Sequence, residues 1–386
     1  MQKTQHKICP YHRECGGCQY QHIPYEEEKN IKQESVENLL SKFGKVNRII
    51  GMENPLNYRN KIHSTFAYGE KNKVISGFYR ANSHQVIDID RCMIQDEKAD
   101  EIIDTVKKLM RSFKMKPYDE DTKQGFLRHV LIKKGFATGE IMLVLVTSTH
   151  IFPGKKNYIK AIRKEHPEIS TIIMNINNRN TSVVLGDREI VIYGRGYIED
   201  ILCGMKFQIS SKSFYQVNPV QTEKLYSKAI EIADLNGDEV AIDAYSGIGT
   251  ISLILSQNVK EVIGVELNSD AVKDSIINAR KNAIKNVYFY QDDAGDFMVK
   301  AAKENKNIDL VVMDPPRAGS DEKFLSSLVK LSPEKLVYIS CNPETQARDL
   351  SYLVGKGYKV KEIQPVDMFP RTEHIECVIG MQRKDT

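Results

Sequence analysis

The feature that most limits the fold is an alternation of short apolar runs and helix-like segments in the second half of the chain. From Glu239 onward a segment of helical periodicity follows each apolar run, and the runs are EVAIDAYSG, EVIGVEL, VYFYQDD, IDLVVMDPP and KLVYISC. Strands that alternate with helices in this way form a mostly parallel sheet with helices on both faces. The pattern therefore predicts a doubly wound α/β domain.

The first half of the chain has a different pattern, in which strand-like segments are separated by turns rich in Gly and Asn. The segments KIHSTFAYG, VISGFYR, RHVLIKK and EIMLVLVTS predict strands, and the residues from Asp96 to Phe113 predict a helix. This mixture indicates a central α+β region that is distinct from the parallel domain.

Composition and charge argue against several classes of protein. The start of the chain lacks the apolar core of a secretory signal, and the longest uninterrupted apolar run, Ile141 to Val146, is too short to cross a bilayer. The net charge of +4 is compatible with a nucleic-acid partner but does not require one. We therefore expect a cytoplasmic protein with no membrane association, and the sequence indicates no obligate protein partner.

The loops after the first three strands of the parallel domain predict a nucleotide-type cofactor. Asp243 closes the first strand, and Gly247 and Gly249 allow a tight turn before a helix begins. Glu266 ends the second strand, where an acidic residue can accept hydrogen bonds from both ribose hydroxyls. Asp293 ends the third strand, where an adenine amino group could be recognised.

Two cofactors compete for this site. A dinucleotide site would place a third glycine where this chain has Ser252. An acidic residue followed by a loop of small residues suits S-adenosylmethionine, which has no pyrophosphate to bind. The sequence favours S-adenosylmethionine over a nicotinamide cofactor, and a purely structural glycine turn is the remaining alternative.

Polar residues after the fourth and fifth strands predict chemistry at the same edge of the sheet. Asp314 precedes two prolines that restrict the backbone, and Cys341 ends the neighbouring strand. A thiolate that adds to carbon 6 of a pyrimidine makes carbon 5 nucleophilic towards a sulfonium methyl group, and a base must then remove the surplus proton. Glu373, His374 and Glu376 are the candidate bases.

Six motifs, taken together, resemble the RNA uracil-5-methyltransferase family. They are FYQVNP (Phe214–Pro219), DAYSGIGT (Asp243–Thr250), GVEL (Gly264–Leu267), DPPRAG (Asp314–Gly319), SCNP (Ser340–Pro343) and MFPRTEHIECV (Met368–Val378). The resemblance implies a Rossmann-like methyltransferase domain in which Cys341 is the nucleophile and Glu376 is the base. It implies further that the cofactor is S-adenosylmethionine and that its contacts include Gln216, Tyr245, Glu266, Asp293 and Asp314.

The cysteines near the start of the chain predict a metal site. In CPYHRECGGC, Cys9, Cys15 and Cys18 lie close together, and Cys92 is the next cysteine in the chain. Spacing alone leaves both a zinc ion and an iron–sulfur cluster open, with a slight preference for the cluster. The resemblance implies a [4Fe–4S] cluster, because the iron–sulfur branch of the family has this spacing and a distant fourth cysteine.

The resemblance also implies a domain arrangement and an RNA substrate. It suggests a central RNA-binding domain from residues 1–20 and 54–210, and a catalytic domain from residues 21–53 and 211–386. Family members often begin with a small TRAM-type β-barrel, and we expect this chain to lack it. Arg59, Lys61, Arg128 and His129 are the predicted RNA contacts, with a solvated charged surface as the alternative. The implied substrate is 23S ribosomal RNA, with the T-loop of transfer RNA and a non-catalytic RNA-binding role as alternatives.

Overall fold

The computed structural model describes residues 8–80, 83–181 and 183–384. The described helices are α1 (His12–Cys15), α2 (Tyr25–Leu40), α3 (Glu97–Ser112), α4 (Lys155–Glu165), α5 (Pro219–Ala233), α6 (Thr250–Leu255), α7 (Ser269–Lys281), α8 (Ala294–Lys303), α9 (Glu322–Leu331) and α10 (Pro343–Gly355). The described strands are β1 (Lys61–Tyr68), β2 (Val74–Tyr79), β3 (Val86–Asp88), β4 (Leu127–Lys134), β5 (Ile141–Thr147), β6 (Ile169–Ile176), β7 (Arg188–Tyr193), β8 (Tyr197–Leu202), β9 (Met205–Ser210), β10 (Val240–Ala244), β11 (Glu261–Glu266), β12 (Val287–Gln291), β13 (Leu310–Met313), β14 (Lys335–Ser340), β15 (Tyr358–Val366) and β16 (Glu376–Arg383).

The chain divides into two compact units, and each unit is built from separate segments. The first unit contains the described residues up to Ile23 together with Pro55–Ile201 and Gln208–Lys212. The second unit contains Pro24–Asn54, Leu202–Phe207 and the described residues from Ser213 onward. The clearest difference from the predicted boundaries is Leu202–Phe207, which groups with the second unit.

The second unit is built around a sheet with the strand order β12-β11-β10-β13-β14-β16-β15. The first five of these strands are parallel, whereas β16 is antiparallel to both of its neighbours. The chain order changes direction between β10 and β13, which opens a crevice at the carboxyl ends of these strands. The predicted α/β fold is therefore confirmed, and the crevice lies where the candidate residues were expected.

Polar residues at the strand ends of the second unit also start the helices that follow. Asn268, Asp293, Asp321 and Asn342 cap α7, α8, α9 and α10 by accepting hydrogen bonds from backbone N–H groups. Such caps satisfy donors that the first turn of a helix leaves unpaired. The carboxyl edge of the sheet is thus a row of short, well-fixed turns.

The first unit has a mixed sheet in the order β3-β2-β1-β4-β5-β6-β7. Only β5 and β6 pair in parallel among its described strands, and α4 makes the crossover between them. Apolar residues of α3 and α4, including Ile102, Val106 and Tyr158, pack against the strands in one core. This is the α+β architecture predicted for the central region. Across the residues that the structure describes, no helix is long and apolar enough to span a membrane.

Candidate active site

The pairing of β14 with β16 brings the predicted nucleophile and base together. Ser340 at the end of β14 pairs with Cys377 in β16. Because the two strands are antiparallel, the residue after Ser340 faces the residue before Cys377, and these are Cys341 and Glu376. Cys341 is half-buried, whereas the Glu376 side chain is buried.

The environment of this pair favours the neutral form of both groups. Burial and then the charge of Asp314 raise the pKa of the Glu376 carboxyl well above its usual range. Burial, Glu376 and Asp314 together raise the pKa of the Cys341 thiol. Within the described part of the chain, Oε2 of Glu376 has no hydrogen-bond partner. A buried acceptor of this kind is free to take a proton or to bind a ligand.

Arg317 is a third member of the site that the sequence interpretation did not single out. Its charge lowers the pKa of Glu376, and its charge and a hydrogen bond to the thiol lower the pKa of Cys341. Arg317 therefore favours the ionised forms of both reactive groups. It follows Asp314 by three positions in DPPR, but the sequence alone does not show that its side chain reaches Cys341.

The loop that carries Arg317 is fixed by α10. The backbone oxygen of Arg317 accepts hydrogen bonds from Asn342 Nδ2 at 3.1 Å and from Thr345 Oγ1 at 3.2 Å. Nη2 of Arg348 donates to the backbone oxygen of Ser320 at 3.1 Å. The turns after β13 and β14 are therefore tied to one helix, which limits their movement relative to each other.

Asp243 provides a buried acceptor beside the predicted cofactor turn. Its Oδ2 accepts a hydrogen bond of 2.5 Å from Ser252 Oγ, while its Oδ1 has no partner among the described residues. Burial, and to a smaller degree the charges of Asp314 and Glu266, raises the pKa of Asp243 to about 7. Ser252, which occupies the place of a third glycine, thus orients this carboxyl.

The glycine turn and the second acidic residue are joined directly. The backbone N–H of Gly247 donates to Glu266 Oε2 at 3.0 Å, and Asn268 N–H donates to Oε1 at 2.7 Å. Gly249 has a φ of 83°, and a Cβ there would lie 2.8 Å from the ring of Phe289. A side chain at this position would clash, so the turn requires glycine. The turn, the oriented Glu266 and the unpartnered oxygen of Asp243 fit a cationic nucleoside such as S-adenosylmethionine.

The other predicted cofactor contacts occupy different environments. Tyr245 has a φ of 72°, and its ring packs 5.6 Å from that of Phe324. A left-handed conformation in a non-glycine residue is uncommon, and such residues concentrate at functional sites. The Gln216 side chain is buried and forms a hydrogen bond with the Tyr226 side chain. Burial, followed by the charge of Asp314, raises the pKa of Tyr226.

Asp293, in contrast, is already engaged by protein groups. Its Oδ1 accepts from the backbone N–H of Asp296 at 3.0 Å and from Lys323 Nζ at 3.2 Å. The backbone bond and Lys323 lower the pKa of Asp293. Its predicted role near an adenine stays a prediction, and its observed role is to cap α8.

The four cysteines of the predicted cluster lie near one another in the first unit. Burial and then the neighbouring Cys92, Cys15 and Cys9 together raise the pKa of Cys18 to about 12. Among the residues with described positions, no group of three or more His, Cys, Asp or Glu side chains is arranged to hold a single metal ion. The predicted [4Fe–4S] cluster therefore stays a prediction.

The four predicted RNA contacts differ in how accessible they are. Arg59 and Lys61 are half-buried, and burial together with the charge of Arg59 lowers the pKa of Lys61. Arg128 is buried and donates to the backbone oxygens of Asn177 and Arg179. Burial lowers the pKa of His129 to about 3, so this ring is neutral at pH 7. Arg128 and His129 are thus poorly placed to neutralise a phosphate, and the prediction depends on Arg59 and Lys61.

The strand order, the glycine turn and the acidic residues at the strand ends together define an S-adenosylmethionine-dependent methyltransferase. Residues 24–384 match the sequence model of the tRNA (uracil-5-)-methyltransferase family. The chain belongs to this family, which confirms the resemblance noted from its motifs.

Similar proteins agree with this assignment. An uncharacterized RNA methyltransferase of Clostridium acetobutylicum is 46% identical over 386 residues, covering 98% of this chain and 84% of that protein. Another, from Halalkalibacterium halodurans, is 45% identical over 383 residues, covering 98% and 83%. The crystal structure of Pyrococcus abyssi tRNA (uracil-54, C5)-methyltransferase with S-adenosyl-L-homocysteine has a TM-score of 0.81 and 28% identity, covering 95% of this chain and 85% of that one. This protein is therefore an S-adenosylmethionine-dependent RNA methyltransferase of the uracil-5 family.

Proposed function

We propose that this protein methylates carbon 5 of a uridine in structured RNA through a covalent adduct between Cys341 and carbon 6 of the base. The observation that carries the proposal is the register of β14 and β16, which sets Cys341 opposite the buried carboxyl of Glu376. A thiol and a base on the same side of a methyl-donor site are the two groups that this reaction requires.

The reaction begins when the Cys341 thiol loses its proton to solvent and the thiolate adds to carbon 6. The new C–S bond makes carbon 5 electron-rich, so that it can attack a methyl group. S-adenosylmethionine, when bound, supplies that methyl group on a sulfonium and leaves as S-adenosylhomocysteine. Glu376 then removes the surplus proton from carbon 5. The electron pair of that C–H bond restores the double bond and expels the Cys341 thiolate.

The other residues of the site prepare these steps. Arg317 lowers the pKa of both Cys341 and Glu376, and so opposes the effect of burial on the two groups that must ionise. Gln216, Tyr245, Asp243, Glu266 and Asp314 would hold the methyl donor. Because Cys341 is half-buried at a strand end, the target base must leave its stack to reach the thiol.

Target RNA that carries 5-fluorouridine tests the covalent step. Fluorine cannot leave carbon 5 as a proton does, so a methylated enzyme–RNA adduct should accumulate and remain visible on a denaturing gel. Cys341→Ala should form no adduct and transfer no methyl group, whereas Cys203→Ser, which removes a thiol outside the site, should behave like the wild type. Full activity in Cys341→Ala would overturn the mechanism.

Two RNA substrates are supported by different observations. The four neighbouring cysteines favour 23S ribosomal RNA, the substrate implied by the iron–sulfur branch of the family. The likeness to the Pyrococcus abyssi enzyme favours a T-loop uridine of transfer RNA. Mapping 5-methyluridine in both RNAs from a deletion strain, and from the strain with the gene restored, separates the two: the modification should be lost from 23S ribosomal RNA and kept in transfer RNA. Both RNA substrates are compatible with a cytoplasmic location of the protein, which we also propose.

We further propose that Cys9, Cys15, Cys18 and Cys92 hold a [4Fe–4S] cluster with a structural role. The mutual effect of these thiols on the pKa of Cys18 supports the proposal, because it requires them to be close. Protein purified without oxygen should contain iron and sulfide, and Cys92→Ser should lose both. Stoichiometric zinc without sulfide would contradict the cluster.

A further inference from the structure

A group of buried charges lies in the second unit in addition to the active-site carboxyls. Lys32 in α2 is 1% exposed, and Glu28 and Asp367 are fully buried. Nζ of Lys32 donates to Glu28 Oε1 at 2.9 Å, to Asp367 Oδ1 at 2.7 Å and to the backbone oxygen of Phe369 at 3.2 Å. Lys32 thus uses all three of its donors inside the protein. We call Lys32, Glu28, Asp367, Tyr25 and Arg371 the Lys32 cluster.

The remaining members bring to three the number of carboxylate oxygens that accept hydrogen bonds, and only Glu28 Oε2 accepts none from the described residues. Tyr25 donates through its hydroxyl to Asp367 Oδ2 at 2.7 Å. The backbone N–H of Arg371 donates to Glu28 Oε1 at 2.7 Å, and Arg371 Nη1 lies 3.7 Å from Glu28 Oε2. Arg371 has a φ of 73°, a conformation that a non-glycine residue adopts only when its surroundings enforce it.

The Lys32 cluster holds the loop that leads to the proposed base. This loop runs from Asp367 to Ile375 and joins β15 to β16, and Val366 at its start pairs directly with Glu376 at its end. The backbone oxygen of Phe369, which Lys32 binds, also accepts from Thr372 Oγ1 at 2.8 Å. Thr372 Oγ1 in turn accepts from the backbone N–H of His374 at 3.3 Å. Successive hydrogen bonds therefore connect Lys32 to the residues just before Glu376.

Stability alone does not explain buried charges at this place. Taking ions out of water is costly, and apolar residues of similar size often stabilise a protein as well or better. A cluster with directed bonds, however, fixes the position of a loop in a way that apolar contacts do not. A base must lie within hydrogen-bond reach of the proton that it removes. A small displacement of the base therefore lowers the reaction rate strongly.

We propose that Lys32 is a positioning residue that sets the orientation of Glu376 through the loop from Asp367 to Ile375. The inference depends on the proposed function, because it assigns Lys32 to the proton-removal step of that reaction. Cys341 directly follows β14 and its turn is fixed by α10, so addition of the thiolate does not depend on this loop. Loss of Lys32 should therefore slow release of the adduct more than methyl transfer.

Lys32→Met tests this inference, since it keeps the length of the side chain and removes its charge and donors. With ordinary uridine RNA, single-turnover measurements give the rate of methyl transfer from labelled cofactor and the rate at which the adduct disappears. We expect the second rate to fall about tenfold relative to the first, with adduct accumulating and the KM for RNA unchanged. Lys32→Arg, which keeps the charge, should restore part of the release rate.

Two further variants make the result interpretable. Lys335→Met removes another largely buried lysine, which pairs with Glu239 at 3.2 Å, and should lower stability without changing the ratio of the two rates. Thr372→Val loosens the loop without leaving a buried charge unpaired, and it should shift the ratio in the same direction if Lys32→Met does not fold. A wild-type ratio in a folded Lys32→Met protein, or in Thr372→Val, overturns the inference. Failure of the proposed function looks different, because the wild type itself would then form no adduct.

Discussion

The second unit contains two groups of buried carboxylates that differ in how their charges are balanced. In the Lys32 cluster each carboxylate forms an ion pair and three of the four oxygens accept hydrogen bonds, while Glu28 Oε2 has only Arg371 Nη1 at 3.7 Å. At the active site, among the residues described, Asp243 Oδ1 and Glu376 Oε2 have no partner. Buried polar groups are normally paired, and leaving one unpaired costs about 1–3 kcal/mol. The comparison indicates that the Lys32 cluster, whose carboxylates both form ion pairs, fixes the framework, whereas the active site retains acceptors for its ligands.

The largest expected effect is on catalysis and comes from substitution of Glu376 in the active site. Glu376→Gln keeps the size of the side chain but cannot take the proton from carbon 5. We expect turnover to fall by about a thousandfold or more, with methylated adduct accumulating on ordinary uridine RNA. The urea midpoint should not fall, because no buried ion pair is lost. A variant that turns over normally would show that another group is the base.

The next largest effect is on stability and comes from substitution of Lys32 in the Lys32 cluster. Lys32→Met leaves Asp367 buried without its cation and Glu28 with Arg371 alone, so the free energy of unfolding should fall by about 3–5 kcal/mol. Urea denaturation of the variant beside the wild type and Lys335→Met measures the loss. A loss below about 1 kcal/mol would mean that water already reaches the Lys32 cluster, and the contrast with the active site would disappear.

In contrast to Lys32→Met, Asp243→Asn should increase the free energy of unfolding at neutral and alkaline pH. The pKa of Asp243 is raised to about 7 in the folded protein, against about 3.9 in an unfolded chain. The folded state therefore binds the proton more tightly, and wild-type stability falls as the pH rises from about 4 to 7. The amide has no charge to bury, so the variant should be more stable by about 4 kcal/mol at pH 8 and unchanged at pH 4.

Urea midpoints of Asp243→Asn and the wild type at pH 4.5 and pH 8 test this difference, and cofactor affinity measured at pH 8 should fall in the variant. Equal midpoints at pH 8 would show that burial of this carboxylate costs nothing.

The smallest expected effect is a pH dependence of cofactor binding. Asp243 and Asp314 both have a pKa of about 7 without a bound ligand, mainly because of burial. A cationic sulfonium favours their ionised forms, so binding should release protons between pH 6 and 8. Affinity for S-adenosylmethionine should rise by about tenfold over this range. Calorimetry in buffers of different ionisation enthalpy counts the protons, and S-adenosylhomocysteine, whose sulfur is uncharged, is the control.

The sequence was most informative where local rules decide the structure. The alternation of strands and helices predicted the parallel sheet that the structure contains. Cys341 and Glu376 could be proposed because each lies beside a strand whose place in the sheet follows from the pattern. Their contact depends on β16 entering the sheet antiparallel between β14 and β15, which alternation does not predict.

The sequence was least informative where contacts over long distances decide the role of a residue. The sequence does not show that Lys32 is buried, because it lies in a helix rich in charged residues and its partner Asp367 is remote in the sequence. Arg317 was missed for a similar reason. Arg128 and His129 looked accessible, but β4 is buried along nearly its whole length, so alternation along that strand does not distinguish an exposed face.

The Lys32 cluster also has a consequence for how the protein is made. Lys32 and Asp367 are separated by 335 positions, so α2 leaves the ribosome long before its buried partner is synthesised. The segment Pro55–Ile201 is complete in the meantime and can form its own core, as domains generally do during synthesis. The nascent chain therefore carries Cys341 before it carries Glu376, and it gains a complete active site only when β16 pairs with β14.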